Sequence, residues 1–183
     1  MKLLSAVLAL AIVASAAMAQ TVPAPLPLKD ESNLEQFAAQ SGTVIQRELT
    51  RLGDVAGLQV DLIKVVDLGM PVNKPWGVRL SRNAPTGVAR EENTAFVDGD
   101  EIDKLAKAID LIKTSAFTTA PDNFTDLSYR TRGGFEIGAL YANRKWSAFL
   151  RLDRYEPKTA VYLDESQLDT LRALLAKAKE SMH

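Results

Sequence analysis

The sequence predicts an α+β protein in which a ββββα unit occurs twice, its curved antiparallel sheets covered by two packed helices. Two observations predict this. From Leu127 to Tyr155 three alternating segments are joined by turns that bring their apolar residues to one side. Elsewhere, ten residues in the middle of the chain match ten in its last third at a shift of 66 residues.

Met1 to Ala19 reads as a signal peptide: Lys2, an apolar run, then Ala17-Met18-Ala19 ahead of Gln20, a small-x-small cleavage pattern. The run is shorter than the ~20 residues a spanning helix needs, so removal is expected rather than retention as an anchor. Without it, 21 basic residues stand against 23 acidic ones, a balance that does not suggest an anionic partner. The chain has no cysteine, so it would be exported without disulfides or a lipidated cysteine and must rely on an ordinary core. Residues 20–33 form a Pro-rich linker, with Pro23, Pro25 and Pro27 in alternation predicting an extended tether. A single α+β domain is expected over 34–183, its two copies at about 42–116 and 122–181.

Gly42 to Gly53 fits two patterns. Val44, Ile45, Glu48, Leu49 and Leu52 suit a helix face, whereas Gly42, the run Thr43-Val44-Ile45 and the turn signal Gly53-Asp54-Val55-Ala56-Gly57 suit a strand. The repeat favours the strand. Leu58, Val60, Leu62, Val66 and Leu68 alternate as a second strand, and Trp76, Val78 and Leu80 as a third after a turn from Pro71 to Pro75. Asn83 to Glu92 reads as a loop.

Phe96-Val97-Asp98-Gly99-Asp100-Glu101-Ile102-Asp103-Lys104-Leu105 then aligns with Tyr162-Leu163-Asp164-Glu165-Ser166-Gln167-Leu168-Asp169-Thr170-Leu171. Strand end, N-cap, capping box and helix face coincide, so Asp98 and Asp164 are both expected to cap the helices they precede. The stripes Ile102, Leu105, Ile109, Ile112 and Leu168, Leu171, Leu175, Ala178 would face the core.

In the meander, a two-residue loop at Asn143-Arg144 sets Tyr141 opposite Trp146, Ala139 opposite Ala148, Ile137 opposite Leu150 and Phe135 opposite Leu152. A three-residue turn Arg132-Gly133-Gly134 adds Thr131, Tyr129 and Leu127 to the same face. Arg130, Glu136 and Arg151 then form a ladder on the other face, expected to be solvated, where Glu136→Ala would barely move stability. Thr159 to Leu163 supplies the last strand.

An acid-started helix after the fourth strand of each half, over roughly Gly42 to Ser181, resembles the Whirly-type fold of single-stranded-DNA-binding transcriptional regulators. The resemblance is architectural and implies a nucleic-acid-binding module by fold analogy, with no site residues to carry over. The run Tyr129-Arg130-Thr131-Arg132-Gly133-Gly134-Phe135 through Leu152-Asp153-Arg154-Tyr155 is similar to small exported bacterial proteins of unassigned function.

The only histidine is the terminal His183, and with no cysteine the Ser-His, Cys-His and His-metal sites lack their residues. Gly-x-Ser-x-Gly, Ser-x-x-Lys and a phosphate-binding glycine loop are also missing, which leaves carboxylate, lysine or tyrosine chemistry with no pair standing out. No cofactor or metal is expected. The acids Asp98, Asp100, Glu101 and Asp103 lack the spacing of a calcium loop, which would need a glutamate where Ile109 stands. A helix start favoured by its partial positive charge explains them better.

The candidate binding residues are Arg130, Arg132, Glu136, Phe149, Arg151 and Arg154, from the one stretch where cations and aromatics interleave. A nucleic-acid platform would place both on one exposed face, but the register turns Tyr129, Phe135 and Trp146 to the core side and sets Glu136 and Asp153 among the arginines. Phe149, on the outer face near Ser128 and Gly138, is expected to mark a small apolar contact patch. Asn123-Phe124-Thr125 matches a glycosylation acceptor but follows a signal of bacterial character. The expected function is a non-catalytic binding or interaction module, periplasmic or extracellular, with a protein or envelope component as partner and no membrane span after signal removal. A nucleic-acid-binding module and, third, a hydrolase using carboxylates are the alternatives.

Overall fold

The computed structural model describes residues 30–83 and 92–182, so the expected signal peptide, most of the expected linker, the body of the expected loop from Asn83 to Glu92 and His183 lie outside the described residues. The chain is α+β. A short helix α1 (Asn33–Ala38) precedes strands β1 (Ile45–Val55), β2 (Leu58–Asp67), β3 (Trp76–Asn83) and β4 (Glu92–Asp98), then helix α2 (Ile102–Ala116). The second half repeats the layout with β5 (Thr125–Arg130), β6 (Glu136–Ala142), β7 (Lys145–Arg151), β8 (Ala160–Leu163) and α3 (Glu165–Glu180). Each half is a four-stranded antiparallel sheet in sequence order.

Turn chemistry fixes the registers. Ala56 and Gly57 both have positive φ, as do Asn143 and Arg144, giving the two-residue hairpin loops whose twist matches that of the flanking strands. In the β5–β6 turn Thr131 N–H donates to Phe135 O (2.9 Å) and Gly134 takes φ 80°, a left-handed value that glycine adopts without a Cβ penalty. Leu127 therefore faces Ala139, Tyr129 faces Ile137, and Tyr141 faces Trp146, the register the alternation predicts.

Both helix stripes and the inner faces of both sheets join in one core that includes Val60, Leu80, Val97, Phe135, Ile137 and Leu150. The helices are exchanged between the halves: α2 lies mainly on β5 and β6, whereas α3 lies on β1, β2 and β3. They run antiparallel to one another, tied by Asp103–Lys179 (2.7 Å), Asp110–Arg172 (2.7 Å) and Lys113–Asp169 (2.5 Å). These pairs sit near the surface, so each adds a few tenths to about 1 kcal/mol, and most of the helix stabilisation comes from the buried stripes.

Two features depart from expectation. Asp98 does not cap the helix it precedes: a 3-10 turn, Gly99–Glu101, starts that helix with no side-chain cap bond, while Asp164 and Gln167 do form a full capping box. In addition, α1 covers the outer face of the first sheet, where Leu34, Ile63 and Val65 make a small second core with Phe37 and Phe96 alongside. Ser32 caps this helix and Glu35 completes its box, while Asp30 pairs with Arg154 (2.7 Å).

Candidate functional site

The expected binding residues lie on the second sheet, at whose β5–β6 turn Asp30 and Ser32 pass close to Gly134 and Gly133. Arg130, Glu136 and Arg151 lie side by side in register. Glu136 Oε1 accepts from Arg130 Nε (3.0 Å) and Oε2 from Arg151 Nη1 (2.9 Å), and its side chain is only 3% exposed. The solvated face expected here is thus corrected to a buried carboxylate held between two arginines. A buried charge of this kind requires both its oxygens to be met.

Phe149 requires a second correction, since it is 3% exposed and offers no contact patch. The register is the expected one, with Phe149 opposite Gly138, but its ring lies down into the notch that glycine leaves: a Cβ on Gly138 would come within 2.9 Å of Phe149 Cζ. The Arg151 guanidinium stands 4.8 Å from the ring centroid, adding a cation–π contact of about 0.5–1 kcal/mol.

Arg154 binds Asp30 and rests on the Tyr155 ring at 4.5 Å. Arg132 faces the first half: it binds Asp98 through Nη1 and Asp100 through Nη2 (2.9 Å), and its backbone N–H donates to Glu101 Oε1 (2.9 Å). The guanidinium holds the Asp100 carboxyl below its ordinary range. Asp98 in turn accepts from the backbone N–H of Asn33 (2.8 Å) and Leu34 (3.0 Å), so it caps α1 across the fold. The acidic run resolves the same way, with Asp98 and Asp100 on Arg132, Glu101 on its backbone and Asp103 on Lys179. Among the described residues no cluster of three acidic or imidazole groups could hold a metal ion.

The predicted residues therefore fall into two structural clasps, one around Glu136 and one around Arg132, with Arg154 linking residue 30 to the sheet. Comparison with known proteins adds nothing to this geometry. No family model, curated protein or solved structure matches the chain. Sequence reasoning missed Ser32 and Glu35, although Ser-x-x-Glu is a legible capping-box signal.

It also missed the apolar tip of the first sheet. Beyond β2 the chain turns through Leu68 to Pro75 and exposes Leu68, Met70 (71%) and Val72 (97%), with Val44 (66%) beside them through the Leu68 N–H to Val44 O bond (2.9 Å). Asp67 pins this turn from a buried position, accepting from the Thr43 hydroxyl and from Gly69 N–H (2.8 Å). The Thr43 bond, followed by the backbone N–H groups of Gly69 and Met70, keeps its carboxyl below the ordinary range. The tip is thus an ordered presentation of apolar side chains. No helix among the described residues is long and apolar enough to cross a membrane.

Proposed function

We propose that the chain is an exported, non-catalytic interaction module that meets a protein or envelope component through the tip formed by Val44, Leu68, Met70 and Val72. The observation that carries the reading is the pairing of exposure with order: apolar side chains outward on a turn that the buried Asp67 ties, through its Oδ1, to Thr43 and Gly69. Leaving such side chains in water forgoes the roughly 1.5–3 kcal/mol each would gain on burial, which a partner surface recovers. Of the six expected binding residues Phe149 is buried and the other five form ion pairs within the chain, which weighs against a nucleic-acid platform, where cations need to face a phosphate backbone.

Export rests on the Met1 to Ala19 pattern, with Gln20 as the first residue of the mature chain. The test is in-cell photocrosslinking. A crosslinking residue at Val72 should yield a discrete adduct that Met70→Asp abolishes without lowering the melting temperature, and the same residue at exposed Lys158 should yield none. Equal or absent adducts at both positions would remove the tip as the contact surface.

A further inference from the structure

β5 is hydrogen-bonded to β6 on one side and, among the described residues, to no strand on the other. Because Thr131 N–H donates to Phe135 O, strand alternation turns the backbone groups of Tyr129 and Leu127 towards β6 and those of Arg130, Ser128 and Asp126 outward. Proteins usually blunt such an edge with lysine, proline or a bulge. Thr125–Arg130 has neither residue, and its register runs unbroken. Beside it, Leu111, Ile112 and Ser115 of α2 face Leu127 and Tyr129 across an apolar hollow of about 240 Å³. Leu111 is 57% exposed.

The charge order along this edge is self-complementary. With a second copy of β5 laid antiparallel and a two-fold axis at Ser128, Asp126 falls opposite Arg130, Leu127 opposite Tyr129, and Ser128 opposite itself. In that register the outward-pointing residues coincide, so each pair can exchange both backbone bonds. Slipping the axis to Asp126 or to Arg130 instead sets like charges against each other, which is unfavourable. Arg130 reaches Glu136 through Nε, and among the described residues its terminal nitrogens have no partner, so they remain for Asp126 of a second copy. On the opposite face Leu111, Leu127 and Tyr129 of the two copies would close over one another.

We propose that the protein is an isologous dimer through β5, which joins two copies of the β5–β8 sheet into one continuous sheet. This surface shares no residue with the apolar tip, so it stands independently of the function proposed above. Sedimentation equilibrium on the chain from Gln20 should find a dimer at a concentration of about 10 µM. Ser128→Pro removes a donor that points away from β6 and should give a folded monomer whose melting temperature equals that of the native chain diluted until it dissociates. Asp126→Lys, at an exposed position, should weaken dimerisation by about tenfold or more through two lost pairs and new repulsion. Since the chain has no cysteine, Ser128→Cys provides a unique thiol that a short bridging reagent should link to its counterpart, whereas Ser147→Cys should not link. Should Ser128→Pro unsettle β5 itself, the lysine and crosslinking variants decide. A native chain that stays monomeric at about 100 µM would overturn the proposal, and so would a dimer that is indifferent to Asp126→Lys and forms no bridge at position 128.

Discussion

At Asp164 the carboxylate accepts from Gln167 N–H (2.8 Å), and the Gln167 side chain returns to Asp164 N–H (2.9 Å). At Asp98, the matching place in the first half, neither bond is made, and the carboxylate reaches Asn33, Leu34 and Arg132 instead. Burial explains the difference. Asp164 is exposed, so two neighbouring donors, the Gln167 N–H and the Ser166 hydroxyl, together with water satisfy it, while Asp98 is 3% exposed and draws its donors from distant parts of the chain. The same strand-acid-helix pattern thus gives a local cap at the surface and a long-range tie in the interior.

Replacing Asp98 tests this most severely. Asp98→Ala should cost about 3 kcal/mol in urea unfolding, since two helix N–H groups and one side of Arg132 lose their acceptor. Asp98→Asn should cost nearly as much, because a single amide oxygen cannot serve donors that now meet both carboxylate oxygens. Hydrogen exchange at Asn33 and Leu34 should accelerate in either variant. Unchanged protection there would break the assignment of Asp98 to α1.

Glu136 separates burial from capping, since it is a buried carboxylate that caps nothing. Glu136→Ala should cost about 2 kcal/mol in the same assay, less than Asp98→Ala because Arg130 and Arg151 are partly exposed and regain water. A loss near zero would show that the face is as bland as alternation alone suggests.

The helix caps themselves come next. Ser32→Ala and Asp164→Ala should each lose about 1 kcal/mol, whereas Asp164→Asn should be nearly neutral because asparagine caps as well as aspartate. Rescue by asparagine at 164 but not at 98 is the sharpest form of the contrast.

The smallest effect concerns acid. The Ser166 hydroxyl, then the Gln167 N–H, hold the Asp164 carboxyl below its ordinary value of 3.8, and Arg132 does the same for Asp100. Groups lowered in the folded state contribute stability above the ordinary value and lose it as pH falls through the lowered one. Melting temperature should therefore decline below pH 3.8, and less steeply in Asp164→Asn.

These residues also mark how far the sequence can be read. The hairpin registers and helix stripes were legible because each depends on neighbours within one turn or one strand pair, as with Tyr141 and Trp146 or Leu168 and Leu171. The fate of Asp98 depends on Asn33, more than sixty positions away, and no local pattern encodes it. Alternation places Phe149 on the correct face but gives only the side a residue takes, not whether a neighbouring glycine lets its ring lie flat and buried. Ser32 and Glu35 carry a capping signal for α1, but the alternating prolines just before them predict an extended tether over the same stretch.

The exchange of α2 and α3 sets the order in which the chain can mature. Until Leu168, Leu171 and Leu175 arrive, the sheet completed first has an uncovered inner face that includes Leu58, Val60, Leu62 and Leu80. Folding of that sheet therefore waits until α3 has been made, and the many distant contacts it requires make it slow. A chain interrupted before Glu165 would present an apolar sheet with an unguarded surface, a form suited to chaperones and proteases rather than to a stable half-protein.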